Sequence, residues 1–305
     1  MRERLIGKDP IFRSAVSLAR KAAASRSPLL IQGAMGTGKS HLARWVHGQG
    51  SGADAPFLEW NVSSVPESLF ESEFLGVEPG TATGVEARAG VCESVESGTL
   101  CLTGLELLPQ RQQAVLLRVL EERSLLRVGG QRPRTVNARF IALFQENPDS
   151  LSARGLLRRD LLYRLDVIRI DLPPLGLRRG DVPLLLHYFM RRALHGKRKR
   201  PPELSGDLLE ALRDHAWPGN LRELAQIAEA LALGGDDRCT RDHLPASFWL
   251  RGDPLAHGLT QRMTLAELKD AYIRHVLARV DGNRTRAANW LGISRKALWE
   301  HLKRR

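Results

Sequence analysis

LLIQGAMGTGKS, residues 29–40, is an apolar run that breaks into a glycine-rich curl and ends on Lys-Ser. Leu29–Gln32 reads as a short strand and Ser40–Gly48 as a helix, so the curl lies between a strand and a helix start. Gly33-Ala34-Met35-Gly36-Thr37-Gly38-Lys39-Ser40 fits G-x-x-x-x-G-K-[ST] in the context that phosphate binding requires. Glycines at 33, 36 and 38 permit a tight curl whose N–H groups, Thr37 included, point inward at an anion. The helix start behind it adds its positive dipole end. Lys39 reaches the β- and γ-phosphates, and the Ser40 hydroxyl is placed to ligate Mg²⁺. ATP and Mg²⁺ are therefore the expected cofactors. A chance glycine-rich turn would lack the Lys-Ser pair or the flanking strand.

Outward from this loop, short apolar runs alternate with amphipathic stretches, the pattern of an α/β domain with a parallel sheet. The expected strands are 29–32, 57–61, 99–102, 139–144 and 167–171. Helices are expected over 12–24, 40–48, 109–122 and 158–165. Gly129–Pro133 reads as a hairpin tip between Leu125–Val128 and Thr135–Ala138. Beyond Pro173-Pro174 the character turns all-helical, with helices over 181–194, 205–215 and 220–233, the last opened by Pro218-Gly219. A polar stretch from about Leu250 to Arg262 reads as a linker. The expected units are 1–175, an α/β nucleotide-binding subdomain; 176–249, a helical lid; 250–262, the linker; and 263–305, a small all-α domain.

The 305-residue chain is 43% apolar, ample for a buried core. It has no long uncharged apolar run and no signal-like start, so no membrane partner is expected and the expected compartment is cytoplasmic. Cys92, Cys101 and Cys239 lack metal-ligand spacing and read as reduced core thiols. The formal net charge is +12, and from Met263 to Arg305 ten Lys and Arg face four acids. About half of the excess thus sits in the last seventh of the chain, a footprint for nucleic acid. The run Lys197–Arg200 reads as a solvated loop.

That basic end carries three helices, 265–280, 285–291 and 295–303. Thr264-Leu265-Ala266-Glu267 has capping-box spacing, Gly292 supplies the turn, and Ser294 caps the third helix. Leu298 and Leu302 should face inward. Arg295, Lys296, Trp299 and Lys303 lie on other faces, with Arg295 and Lys296 at the end that enters the major groove in a helix-turn-helix. Trp299 suits packing at the helix edge as well as it suits a base. Arg304 and Arg305 should contact phosphates.

The segments GAMGTGKS, NVSSVPESLFESEFLG, GTATGV, SGTLCLTGLELLPQRQQAVLLRVLEE, LLRRDLLYRLDVIRIDLPPL, DHAWPGNLRELAQ and GNRTRAANWLGISRKALWEHLK resemble the bacterial sigma-54-dependent transcription activators, which are AAA+ ATPases. The resemblance implies an AAA+ P-loop parallel sheet with a helical lid, followed by a Fis-type helix-turn-helix domain. It implies that Asn61 matches the asparagine positioning a catalytic glutamate. Arg158 and Arg164 match arginines reaching toward a neighbouring subunit's γ-phosphate; without the resemblance they read as decoration of a charged helix. Arg222 matches a lid arginine that senses the phosphates. The implied partners are upstream promoter DNA, the RNA polymerase sigma-54 factor, and other AAA+ subunits in a homo- or hetero-oligomer, from dimer to hexamer. Most relatives carry a receiver or ligand-sensing domain first, whereas this sequence starts at the ATPase module, so control is expected from a partner in trans, from expression level, or not at all.

Two departures shape the functional expectation. The family's strand ending in Asp-Glu here runs Thr99-Leu100-Cys101-Leu102 into Thr103 and Gly104. Without a general base, water attack should slow by about 10²–10⁴-fold. Glu106, two positions on, is out of register for that task, and the sensor asparagine of the next strand is Gln145. The sigma-contacting Gly-Ala-Phe-Thr-Gly-Ala stands here as Gly80-Thr81-Ala82-Thr83-Gly84-Val85. Gly80, Thr83 and Gly84 persist, but losing the ring at Ala82 forfeits about 1.5–3 kcal/mol of apolar contact and counts against productive sigma-54 engagement. The reading is an ATP- and DNA-binding regulator, impaired in hydrolysis alone and suited to a mixed oligomer with an active homologue. Its alternative is an ATP-gated DNA-binding repressor that does not engage sigma-54.

Overall fold

Five apolar runs form one parallel sheet in the computed structural model, which describes residues 4–80, 86–194, 200–234, 237–245, 248, 264–280 and 283–303. The strands are β1 (Leu29–Gln32), β2 (Phe57–Asn61), β3 (Thr99–Thr103), β4 (Arg139–Phe144) and β5 (Ile168–Asp171), in the order β2-β3-β4-β1-β5. Leu30 stands opposite Ala142 and Arg169, and Asn61 opposite Thr103. Parallel strands need crossovers that cover both faces, so the central strands are apolar throughout. β4 is buried along its whole length. The chain leaves β1 and β4 in opposite directions, which opens a crevice beyond the carboxyl ends of these neighbours.

The helices of this body include α1 (Pro10–Ala23), α2 (Lys39–Gln49), α3 (Phe70–Leu75), α4 (Gln110–Glu122) and α5 (Arg159–Leu165). α1 starts two residues before its expected position. Asp9 accepts from the Ile11 and Phe12 amides, and Pro10 fills a first-turn position where no N–H is needed. Strand alternation sorts the core: Leu30, Leu100, Leu102 and Phe140 pack on one face with Phe70, Phe74 and Leu161. Leu29, Ile31, Cys101 and Ile141 pack on the other with Phe12, Leu42 and Val46. All three cysteines are buried and none is in a disulfide. Burial pushes the Cys92 and Cys101 thiols up, so they behave as small apolar groups.

The expected hairpin is present but shifted. Ser124–Leu125 pairs with Arg134–Thr135, while Val128 is drawn sideways into a bridge with Val77. Val136 and Ala138 drop into the core instead of extending the ladder. A second short pair joins Gly76–Val77 to Arg88–Ala89. The two hairpins are also joined by charge: Arg127 binds both carboxylate oxygens of Glu93 at 2.7 and 2.9 Å, and Arg134 reaches Glu78 at 2.8 Å.

Beyond β5, α6 (Val182–Ala193), α7 (Gly206–Asp214) and α8 (Asn220–Leu233) build a separate core around Trp217. The terminal helices are α9 (Leu265–Arg279), α10 (Arg284–Leu291) and α11 (Arg295–Lys303). Ile273, Val276, Val280, Ala287, Ala288 and Leu298 form their core, with Leu302 packed against it.

Candidate functional site

The phosphate loop is an extension of β1. The Gly33 amide donates to Phe144 O at 3.1 Å, continuing the ladder, and the chain then curls through Gly36 and Gly38 at positive φ. Gly36 is obligatory twice over: its φ is +79°, and a Cβ there would collide with the Gly219 carbonyl. Thr37 is buried, and its hydroxyl donates to Ala34 O at 2.8 Å. Its side chain therefore shapes the curl and only its backbone is offered to a ligand. Lys39 Nζ donates to Gly33 O at 2.6 Å and Ala34 O at 3.1 Å, which holds it across the mouth of the curl. Burial lowers the pKa of this ammonium, with Glu106 opposing the shift and Arg222 adding to it. Ser40, in the first turn of α2, donates its hydroxyl to Glu59 Oε1 at 2.5 Å.

Lys39, Ser40, Asn61, Thr103, Glu106, Gln145 and Arg222 line one polar cavity of ≈ 520 Å³. It meets a second cavity of ≈ 270 Å³ at Gly38, His41 and Arg222. The second is walled by Leu5, Ile6, Leu42, Leu172, Leu185, Tyr188, Phe189 and Leu221. A polar chamber joined to an apolar one suits a ligand with a phosphate chain on a flat ring. None of the apolar wall was expected from motifs, because its residues come from five separate stretches and each alone reads as core.

The lid meets the loop directly. Trp217 and Asn220 both sit at positive φ, +54° and +50°. Trp217 is a packed core residue whose indole donates to Leu212 O at 2.9 Å. Asn220 is the residue that the motif concealed. Its side chain accepts from the Leu175 amide at 2.7 Å and donates to Met35 O at 2.8 Å. Next to it, the Leu221 amide donates to Gly36 O at 2.9 Å. Asn tolerates the left-handed region better than most residues, which suits it to this corner. Arg222 follows at once and lines both cavities.

The opposite wall is short of acids. Thr103 and Gly104 line the polar cavity at the end of β3, with Gly104 at φ +76°. A Cβ on Gly104 would stand 2.9 Å from Asn61 Oδ1, so Asn61 borders the place where a side chain is missing. Asn61 Oδ1 instead accepts from the Ser63 amide and hydroxyl at 3.2 and 2.8 Å. Glu106, which its register argued against, does reach this cavity, and its Oε2 is buried without a hydrogen-bond partner.

In the terminal domain, Thr264 and Glu267 form the expected box: the Thr264 amide donates to Glu267 at 2.8 Å and the Glu267 amide to Thr264 Oγ1 at 3.3 Å. Asn283 caps α10 through the Arg286 amide, and Ser294 caps α11 through the Ala297 amide. Arg295, Lys296 and Trp299 are exposed on α11, as is Trp290 on α10, which sequence reasoning passed over. The side chain of Lys303, and Arg304 and Arg305, lie outside the described residues.

A family profile described as the sigma-54 interaction domain matches residues 5–171, an AAA+ ATPase lid domain matches 177–256, and a Fis-family bacterial regulatory protein profile matches 264–304. The transcriptional regulatory protein FlbD of Caulobacter vibrioides is 36% identical across 98% of this chain and 70% of its own length. The chain belongs to the sigma-54-dependent transcriptional regulators. Another member, ZraR of Klebsiella oxytoca, is 35% identical across 98% of this chain and 68% of its own. The crystal structure of NtrX from Brucella abortus in complex with ATP superposes with a TM-score of 0.73 at 30% identity, covering 98% of this chain and 68% of that one. Among the described residues, no helix is long and apolar enough to cross a membrane.

For a sigma-54-dependent regulator, the remaining residues of interest lie away from the polar cavity. Arg158 precedes α5 and pairs with Asp160, Nη2 to Oδ2 at 2.7 Å. Arg164, on α5, donates to Leu120 O through Nε and Nη2 at 3.3 and 3.2 Å. Neither lines the cavity that holds Lys39; Arg158 borders a different one with Gln110, Asp149 and Tyr163. Of the residues expected to contact sigma-54, Gly80 is described, at φ +80°, and Thr83 and Gly84 lie outside the described residues.

Proposed function

We propose that this regulator binds ATP with Mg²⁺ through Gly33, Gly36, Gly38, Lys39, Ser40 and Arg222, binds DNA through α11, and turns ATP over slowly by itself. The observation that carries this reading is the asymmetry of one cavity. Lys39 and the glycine curl stand on one side, and Thr103 with Gly104 on the other. A cradle of amides plus an ammonium is sufficient for affinity, whereas hydrolysis also requires a base that orients water. The adenine ring goes to the apolar cavity beneath Tyr188 and Phe189. Ser40 is the protein's ligand for the metal, which neutralises phosphate charge when bound.

Within an oligomer of AAA+ subunits in the cytoplasm, Arg158 and Arg164 serve the neighbour's nucleotide, because both lie away from the chain's own site. A guanidinium there stabilises charge on the transferring phosphoryl group. A mixed ring with an active homologue follows: this chain supplies arginines and DNA contacts, and the homologue supplies catalysis and sigma-54 contact. The test is the hydrolysis rate of a mixture of the two proteins. Arg158→Ala in this chain should lower it, and an unchanged rate defeats the mixed-ring reading. The loss of the aromatic at Ala82 supports the alternative of an ATP-gated DNA-binding regulator that never engages sigma-54. Nucleotide-independent failure to capture sigma-54, together with tight operator binding, selects it.

A second reading of the cavity rests on Glu106. Its buried, unpartnered oxygen lies within electrostatic reach of Lys39. If Glu106 acts as the base, the isolated chain hydrolyses ATP at a rate that Glu106→Gln removes. Binding without turnover excludes it.

A further inference from the structure

Magnesium on a loop-bound nucleotide is held by phosphate oxygens, waters and the serine hydroxyl of the loop. That hydroxyl can turn a lone pair to the metal only if its proton points into an acceptor elsewhere. At the end of β3, where the family resemblance implies a carboxylate on the metal's side, this chain has a neutral Thr103. The Ser40 hydroxyl nevertheless donates to a carboxylate, Glu59 Oε1, at 2.5 Å. Glu59 lies on β2 opposite Cys101, two residues before Asn61. By the two-residue period of a strand it shares the sheet face of Asn61.

Glu59 is itself held in place. Its other oxygen accepts from Arg44 Nη2 at 3.1 Å, and the Arg44 guanidinium lies over the Phe57 ring at 4.8 Å from the centroid. Phe57 and Glu59 are alternate residues of β2, and Ser40 and Arg44 are one turn apart on α2. Two same-face pairs therefore close a four-residue circuit between the strand and the helix. The Glu59 side chain is only 25% exposed, which keeps its field from being fully screened by water.

The geometry points to Glu59 as the positioning residue for the magnesium ion of the bound nucleotide, taking over on the metal side what position 103 no longer supplies. Glu59 does not touch the nucleotide. It fixes the direction of the Ser40 proton and places negative charge behind the metal's own ligands, and such outer partners typically govern metal affinity by about 10–100-fold. It restores nothing on the water side, where Gly104 has no side chain. Metal-assisted binding and slow hydrolysis are thus compatible in one site. This assignment rests on the nucleotide-binding reading above.

Equilibrium titration of the full chain with a β,γ-imido analogue of ATP, in Mg²⁺ and in EDTA, separates the two. The wild type should bind more tightly in Mg²⁺. Glu59→Gln should leave affinity in EDTA unchanged while reducing the Mg²⁺-dependent gain by about 10–100-fold. Adding Thr103→Asp to Glu59→Gln should return that gain, while Thr103→Asp alone should change it less than about threefold because the acceptor's role is already filled. Equal Mg²⁺ dependence in the wild type and Glu59→Gln overturns the role of Glu59 and leaves nucleotide binding standing. A tenfold or greater increase from Thr103→Asp alone overturns it as well, and does not depend on the Glu59 variant folding. Absence of affinity in both buffers would instead remove the nucleotide site, and the assignment with it.

Discussion

The two walls of the polar cavity differ in completeness, although they follow two strands of one sheet that both pair with β4. The wall after β1 retains every feature that phosphate binding requires: the curl, Lys39, Ser40 and the start of α2. The wall after β3 keeps the strand and its neighbour Asn61 but ends on Thr103 and Gly104. The backbone has stayed in place where the acids are missing, with Gly104 accommodated at φ +76°. On the proposed reading, affinity and turnover fall to separate residues of one scaffold.

The largest expected effect restores the depleted wall. Thr103→Asp with Gly104→Glu should raise ATP turnover of the isolated chain by about 10²–10⁴-fold. A glutamate at the left-handed Gly104 position costs roughly 1–2 kcal/mol of stability, so unfolding should be measured alongside. A double variant that binds ATP yet hydrolyses it no faster than the wild type would show that the strand end is not what limits the reaction. Damaging the complete wall should act on binding instead. Lys39→Ala should weaken ATP binding by about 2 kcal/mol or more, since it truncates one partner of a buried charge-assisted contact. A loss below about threefold would mean that the curl does not cradle phosphate.

A smaller effect belongs to the joint between the loop and the lid. Asn220→Ala leaves the Leu175 amide and Met35 O without their partner and places alanine in the left-handed region. Denaturant unfolding should register a loss of about 2–4 kcal/mol. Asn220→Gly, which removes only the hydrogen bonds, should lose less. The smallest effect concerns pH. Burial lowers the Lys39 pKa in the free protein, and bound phosphate raises it again. Affinity should be constant below the free-protein value and fall as pH rises through it, earlier than an ordinary lysine would cause. Lys39→Arg, if it binds, should move the fall to higher pH, and an affinity flat through pH 10.5 in the wild type would contradict the lowered value.

Much of this was legible in the sequence, for identifiable reasons. The three central strands were readable because a buried parallel sheet enforces continuous apolar runs, and the loop because its chemistry requires glycines, lysine and serine in a fixed order. The ends of helices moved where caps intervened: Asp9 extended α1, and Pro109 stepped outside α4 to become its cap. Contacts between distant segments were not legible. Asn220 binds Met35 across 185 positions, and no local pattern marks it out. Glu59 in FLEWN has the period of a half-buried strand, and only the fold brings it to Ser40. The apolar chamber was hidden for the same reason, since leucines at a cavity wall and leucines in a core obey one periodicity.

The joint at Asn220 has a mechanical consequence. The start of α8 is bonded to backbone oxygens of the phosphate curl itself, Met35 O and Gly36 O, rather than to side chains that could swing aside. Backbone oxygens cannot be displaced without changing the dihedrals of the curl. Tilt of the helical lid and curvature of the anion cradle are therefore a single degree of freedom, so that whatever turns the lid also sets how well the cradle fits its anion.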